Sequence, residues 1–99
     1  MAIPRFDPFT PVEMTWIDAF SDITKYGSVS EALQAYKPCI RKTVAKYIGV
    51  AERNGQRAVL LVTDDDRTPD DPEAMGAPIW TPVAMVIDLQ PLILTKRKK

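Results

Sequence analysis

The sequence predicts a mainly β fold with one short helix near the N-terminus. Three observations carry this. Runs of β-forming residues recur along the chain with turn residues between them. Asn54-Gly55 falls between two such runs, a strong short-range hairpin signal. Pro82 separates two apolar runs, and Pro82-Val83-Ala84-Met85 can form a single 3₁₀ turn there. The resulting order is strand, helix, long hairpin, acidic loop, short strand, 3₁₀ turn and last strand. That is the layout of a small SH3-like or Sm-like barrel.

Each element follows from local chemistry. Pro4, Pro8 and Pro11 forbid a helix at the start, so residues 1–12 are expected to form an extended arm. Phe6 and Phe9 lie between those prolines and are expected to be buried against something. Residues 13–94 are expected to be the single barrel domain, and 95–99 a disordered basic tail. Val12 to Trp16 alternates apolar and polar residues and reads as a strand. Ser28-Val29-Ser30-Glu31 fits a capping box, and Val29, Ala32, Leu33 and Tyr36 follow at helical spacing. Pro38 ends that pattern, which predicts a helix over 29–36.

Residues 39–53 suit either a helix or a strand. Ile40, Val44, Tyr47, Ile48 and Ala51 form a helical stripe. The same segment is rich in β-formers, and alternation puts Ile40, Val44, Ile48 and Val50 on one face. Lys42 and Lys46 interrupt that face, so a strand here needs a bulge or an open edge. Ala58 to Thr63 is an apolar strand expected to be covered on both faces. Asp64 to Pro78 reads as a long acidic loop, 79–81 as a short strand, and 86–89 as the resumed strand.

Composition narrows the chemistry. The 99 residues carry thirteen basic and thirteen acidic side chains, no His and one Cys. Zero net charge gives no uniformly basic surface for DNA. Without His, the usual general base, zinc ligand and Ser-His or Cys-His nucleophile pairs are missing. No enzyme activity, metal or cofactor is therefore expected, and Asp18, Asp22 and Glu31 have no spacing that marks catalysis. No apolar run is long enough to span a membrane, and Pro4, Arg5, Asp7 and Pro8 interrupt any signal-peptide pattern. A soluble cytoplasmic protein is expected.

Several motifs are familiar as a set. Thr15-Trp16-Ile17-Asp18-Ala19, Lys37 to Val44, Ala58-Val59-Leu60-Leu61 and Thr81 to Val86 resemble a loose group of small phage and prophage proteins. That group reads T-W-x-D-A, C-x-S-V-G-x-L, V-V-L-A and I-P-x-x-x-I. Here Ala45 replaces the usual Gly, and Thr81 replaces the common Ile before proline. The resemblance implies phage origin, a β-rich fold with residues 39–53 as a strand, and residence in the host-cell cytoplasm. It supplies no catalytic residues.

The candidate sites follow from residue chemistry. Arg41, Lys42, Lys46, Arg53 and Arg57 cluster along the hairpin and could hold phosphates. On a strand, Arg41 and Lys42 point to opposite faces, so both serve one site only across a subunit interface. Trp16 and Trp80 could stack a base, with filling of the core as the alternative for each. Thr81 adjoins Trp80 and joins it as a ligand-binding candidate. Asp64, Asp65 and Asp66 could contact a basic partner, with a solvated loop as the alternative. Cys39 is expected in the core.

The favoured function is oligomeric capture of a phosphorylated small molecule, such as a cyclic nucleotide, that counters host defence. The alternatives are a protein-binding inhibitor of a host factor acting through the acidic loop, and a single-strand nucleic-acid module of Sm type.

Overall fold

The computed structural model describes residues 3–19 and 24–92. Five strands form one antiparallel sheet: β1 (Thr10–Asp18), β2 (Cys39–Arg53), β3 (Gln56–Asp65), β4 (Met75–Pro82) and β5 (Val86–Pro91). The sheet order is β4-β3-β2-β1-β5. A one-turn 3₁₀ helix, Val83–Met85, joins the two edge strands β4 and β5. The mainly β expectation holds, and the strand order is open rather than closed. No helix among the described residues is long and apolar enough to cross a membrane.

The segment 39–53 is a strand throughout, with a bulge between Tyr47 and Gly49. The bulge decides which side chains enter the core. Before it, Ala45 and Tyr47 are buried while Ile40 and Val44 face out with Lys42 and Lys46. After it, Val50 turns inward against the core. Ile40 and Val44 therefore do not share the inner face with Val50. The extra residue reverses the alternation halfway along the strand.

The core lies on one face of the sheet. Val12 and Met14 from β1, Ala45 and Tyr47 from β2, Val59 and Leu61 from β3, and Val86 and Leu89 from β5 make one buried cluster. Val62 is also fully buried but points to the other face, in a row with Lys46 and Pro78. Strand β3 is thus covered on both faces at its centre, as its apolar run predicts.

The arm closes one end of this core. Ile3 is buried in it, and Phe6 meets Tyr47 edge-on with ring centroids 5.5 Å apart. Phe9 takes a positive φ of 70°, which lets its N–H donate to the Tyr47 carbonyl at 2.6 Å. Strand β1 begins one residue later, so the arm ends at Phe9 rather than at residue 12. The expected tail, 95–99, lies outside the described residues.

Helix α1 spans Val29–Gln34, shorter than predicted, with Ala35 as its C-cap. The Ser28 Oγ accepts from the Glu31 N–H at 3.1 Å, and the Glu31 carboxylate accepts from the Gly27 N–H at 3.0 Å. The capping-box residues are engaged as expected, with the Glu31 return bond going one residue earlier. No residue of α1 is buried.

The two sheet edges have a particular chemistry. The two-residue turn makes Arg53 and Gln56 exchange hydrogen bonds, so Val59 and Leu61 direct theirs to β4. Ile79 and Thr81 receive them, and Pro78, Trp80 and Pro82 face outward. Only Trp80 then offers an N–H along that stretch of edge, since proline has none. On β5, the Leu92 N–H donates inward to the Pro11 carbonyl at 2.8 Å. Leu89 and Pro91 accordingly face the open side, and Pro91 has no donor.

The acidic segment is part strand and part loop. Strand β3 runs to Asp65 and β4 starts at Met75, which leaves a loop over 66–74 instead of 64–78. Thr68 and Asp71 exchange backbone hydrogen bonds at 3.0 and 3.1 Å, which folds this loop on itself.

Candidate functional site

The candidate site is built at the tip of the β2–β3 hairpin. Asn54 (φ 53°) and Gly55 (φ 78°) both adopt the left-handed conformation. That is the requirement of a type I′ turn, and it fixes the register of everything beside it. Ala51 opposes Ala58, which opposes Pro82. Gly49, Leu60 and Trp80 make the next row on the same outer face. A Cβ built on Gly49 would meet nothing within 4 Å. Gly49, Ala51 and Ala58 keep this face low around Leu60, and Trp80 stands beside Leu60, 59% exposed.

The result is a groove of about 430 Å³ bounded by Ala51, Glu52, Arg53, Gln56, Arg57, Ala58, Trp80 and Pro82. Its volume lies within the range of small-molecule sites. Arg53 shares the outer face with Ala51 and Trp80, whereas Glu52 and Arg57 oppose each other across the ladder and alternate to the opposite face. None of the ion pairs among the described residues uses any of the three. The Arg53 guanidinium thus retains its capacity for bidentate contact with an anion on the Trp80 face.

Of the predicted ligand-binding set, only Trp80 lines this groove. Its exposure corrects the alternative that placed it in the core, because the register puts it on the sheet face away from the buried cluster, opposite Leu60 of β3. Thr81 points the other way and is buried, 3% exposed. Trp16 is half-buried against the core, and its indole N–H donates to Thr43 Oγ1 at 2.9 Å. Its polar atom is therefore already occupied.

The basic residues of β2 separate. Arg41 opposes Trp16 on one face and donates from Nε to Asp18 Oδ2 at 2.6 Å. That hydrogen bond, followed by the nearby Cys39 sulfur, raises the Arg41 pKa above its ordinary value. Lys42 opposes Thr15 on the other face, with Nζ 3.9 Å from Glu13. Lys46 lies further along that same face, in the field of Asp65. The strand places Arg41 and Lys42 on opposite faces, as alternation requires. Cys39 is a free, partly exposed thiol rather than a core residue, because it opens β2 at the sheet's margin.

The acidic triplet also divides. The Arg67 guanidinium donates to both Asp65 oxygens, at 2.7 and 2.6 Å, and lies 3.8 Å above the Phe9 ring. These hydrogen bonds lower the Asp65 pKa to about 2. Asp64 and Asp66 instead flank Gly76 across the ladder, where a Cβ would meet their carboxylate oxygens at 3.4 and 3.2 Å. Among the described residues, no group of three or more Cys, Asp or Glu is placed to hold a metal. Asp22 lies outside the described residues.

Sequence reasoning flagged Arg53 and Arg57 only as part of a basic hairpin. The signal for the groove was the pairing of small residues, Gly49, Ala51 and Ala58, around an Asn-Gly turn. Its meaning depends on the bulge and on the β3–β4 register. No protein-family model, curated protein or solved structure matches the chain, and the functional reading rests on its own residues.

Proposed function

We propose that the protein is a non-enzymatic binding module whose hairpin groove takes a phosphorylated aromatic small molecule of the nucleotide class. One observation carries this: an exposed Trp80 beside the small residues Ala51 and Ala58, with Arg53 on the same face and in none of the ion pairs among the described residues. The indole offers a stacking face for a base, and the Arg53 guanidinium offers paired donors for phosphate oxygens. In the phage setting that the sequence resemblance implies, the ligand is a nucleotide signal of host defence, such as a cyclic nucleotide. The strand order, with a 3₁₀ turn between β4 and β5, supports an SH3-like or Sm-like barrel as the scaffold.

The test is tryptophan fluorescence. In a Trp16→Phe background Trp80 is the sole emitter, and nucleoside monophosphates and cyclic nucleotides are expected to quench it saturably. Trp80→Ala, assayed by calorimetry, should weaken binding roughly 5- to 150-fold, the equivalent of ~1–3 kcal/mol of stacking. Arg53→Ala should weaken it and Arg57→Ala, on the opposite face of the hairpin, should not, both leaving the far-ultraviolet circular dichroism unchanged. Absence of quenching by all these nucleotides at millimolar concentration, with the protein folded, refutes the reading.

The acidic segment favours a second reading, inhibition of a basic host factor, because the Asp64 and Asp66 carboxylates form no ion pair among the described residues. Asp64→Asn with Asp66→Asn would abolish that interaction and leave nucleotide binding intact.

A further inference from the structure

The register sets the side chains of the groove in a fixed order. On the outer face the Arg53–Gln56 pair lies beside the turn, Trp80 lies beside Leu60 two rows away, and Ala51 and Ala58 fill the row between. Gln56 and Leu60 are four residues apart on β3, about 13 Å along the strand. Trp80 and the Arg53–Gln56 pair therefore stand at opposite ends of a floor of alanine. Gln56 lies on the strand next to that of Trp80, and Arg53 one strand further away. A molecule stacked on Trp80 and extending toward the turn thus meets Gln56 before Arg53.

Gln56 is the one residue lining the groove whose side chain both donates and accepts hydrogen bonds. Its residue is exposed, and the carboxamide has no hydrogen-bond partner among the described residues. The amide N–H donors and the carbonyl acceptor stand side by side, which is a pattern that can be matched. Adenine presents the complementary pair on one edge, N7 as acceptor and the N6 amino group as donor. Guanine presents two acceptors there, N7 and O6, so the Gln56 carbonyl would face another carbonyl. Pyrimidines have no N7 and a smaller ring to stack.

The phosphate follows from the same edge. In the anti conformer of a 5′-nucleotide, the N7 side of a purine faces the 5′-phosphate. An adenine held by that edge at Gln56 brings its phosphate toward Arg53, which sits directly across the ladder from Gln56. The Arg53 guanidinium then has an anion for its paired donors.

We propose that Gln56 makes the groove selective for adenine nucleotides, with Trp80 stacking the base, Gln56 reading its N6/N7 edge and Arg53 holding the 5′-phosphate. This rests on the nucleotide reading of the groove and adds to it which base is taken and which side chain selects it.

Titration of Trp80 emission in the Trp16→Phe background tests it. The probes are the 5′-monophosphates of adenosine, guanosine and 7-deazaadenosine, the last with a C–H in place of N7. The adenosine nucleotide is expected to bind roughly 5- to 150-fold more tightly than the guanosine one. The 7-deaza nucleotide should lose part of that advantage. Gln56→Leu should abolish the preference while Trp80 is still quenched and the circular dichroism is unchanged. Equal affinity for adenosine and guanosine nucleotides, or a preference that persists in Gln56→Leu, overturns the proposal and leaves the nucleotide reading standing. Absence of quenching by all three at millimolar concentration overturns that reading and the proposal with it.

Discussion

Ala77 is a β4 residue with a φ of 53°, between Gly76 and Pro78. Its side chain is exposed and has no packing to lose. For an L-residue the left-handed conformation costs roughly 1–2 kcal/mol because Cβ crowds the following carbonyl. Glycine removes that cost but adds about 0.5–1 kcal/mol of unfolded-state entropy. Ala77→Gly should therefore stabilise the protein by about 0.5–1 kcal/mol, a rise in Tm of roughly 2–8 °C for a domain of this size. Ala58→Gly is the matched control. Ala58 has no positive φ and lies in the central part of the sheet, so glycine there should destabilise by about 0.5–1 kcal/mol. Urea unfolding of both variants reads the difference directly. Equal destabilisation by the two substitutions would refute the conformational argument and would mean that β4 holds Ala77 in an ordinary extended geometry.

Two further outcomes follow from the hydrogen bonds. Asp65 titrates near 2 because Arg67 donates to its carboxylate. The stability it contributes is complete above its unshifted value of 3.8 and is lost as pH falls through about 2. Arg67→Met should return the Asp65 carboxyl, followed by NMR, toward 3.8 and flatten the acid limb of the stability profile. The same variant removes the cation above Phe9 and should raise hydrogen exchange at the Phe9 N–H. Trp16→Phe keeps most of the half-buried ring but leaves Thr43 Oγ1 without its donor. A cost of about 1 kcal/mol is expected from denaturant midpoints.

The parts of the fold that were legible in the sequence are those fixed by local stereochemistry. Asn54-Gly55 specifies a two-residue turn because both positions need positive φ. Ser28 and Glu31 fix where α1 starts, and Pro82 fixes where β4 gives way to the 3₁₀ turn. The inner face of β2 was not legible. Lys42 and Lys46 signal that simple alternation fails, but nothing local says that the extra residue sits between Tyr47 and Gly49. The site was legible only through Trp80. Arg53 acquires its role from a register that sets Ala51, Ala58 and Pro82 side by side on its own face, which is a property of three strands together. The exposure of Val29 and Leu33 was also hidden, because helical spacing announces an apolar face without saying whether it is buried.

The prolines of β4 have a consequence for the protein's life in a crowded cell. Cross-β growth needs a strand that can donate and accept along its whole open side. Pro78 and Pro82 remove the donors on either side of Trp80, and Pro91 does the same at the end of β5. A chain this rich in β-structure would otherwise be a ready seed for fibrils. Proline thus removes donors along the β4 edge and at the end of β5, which disfavours the addition of further strands at these places.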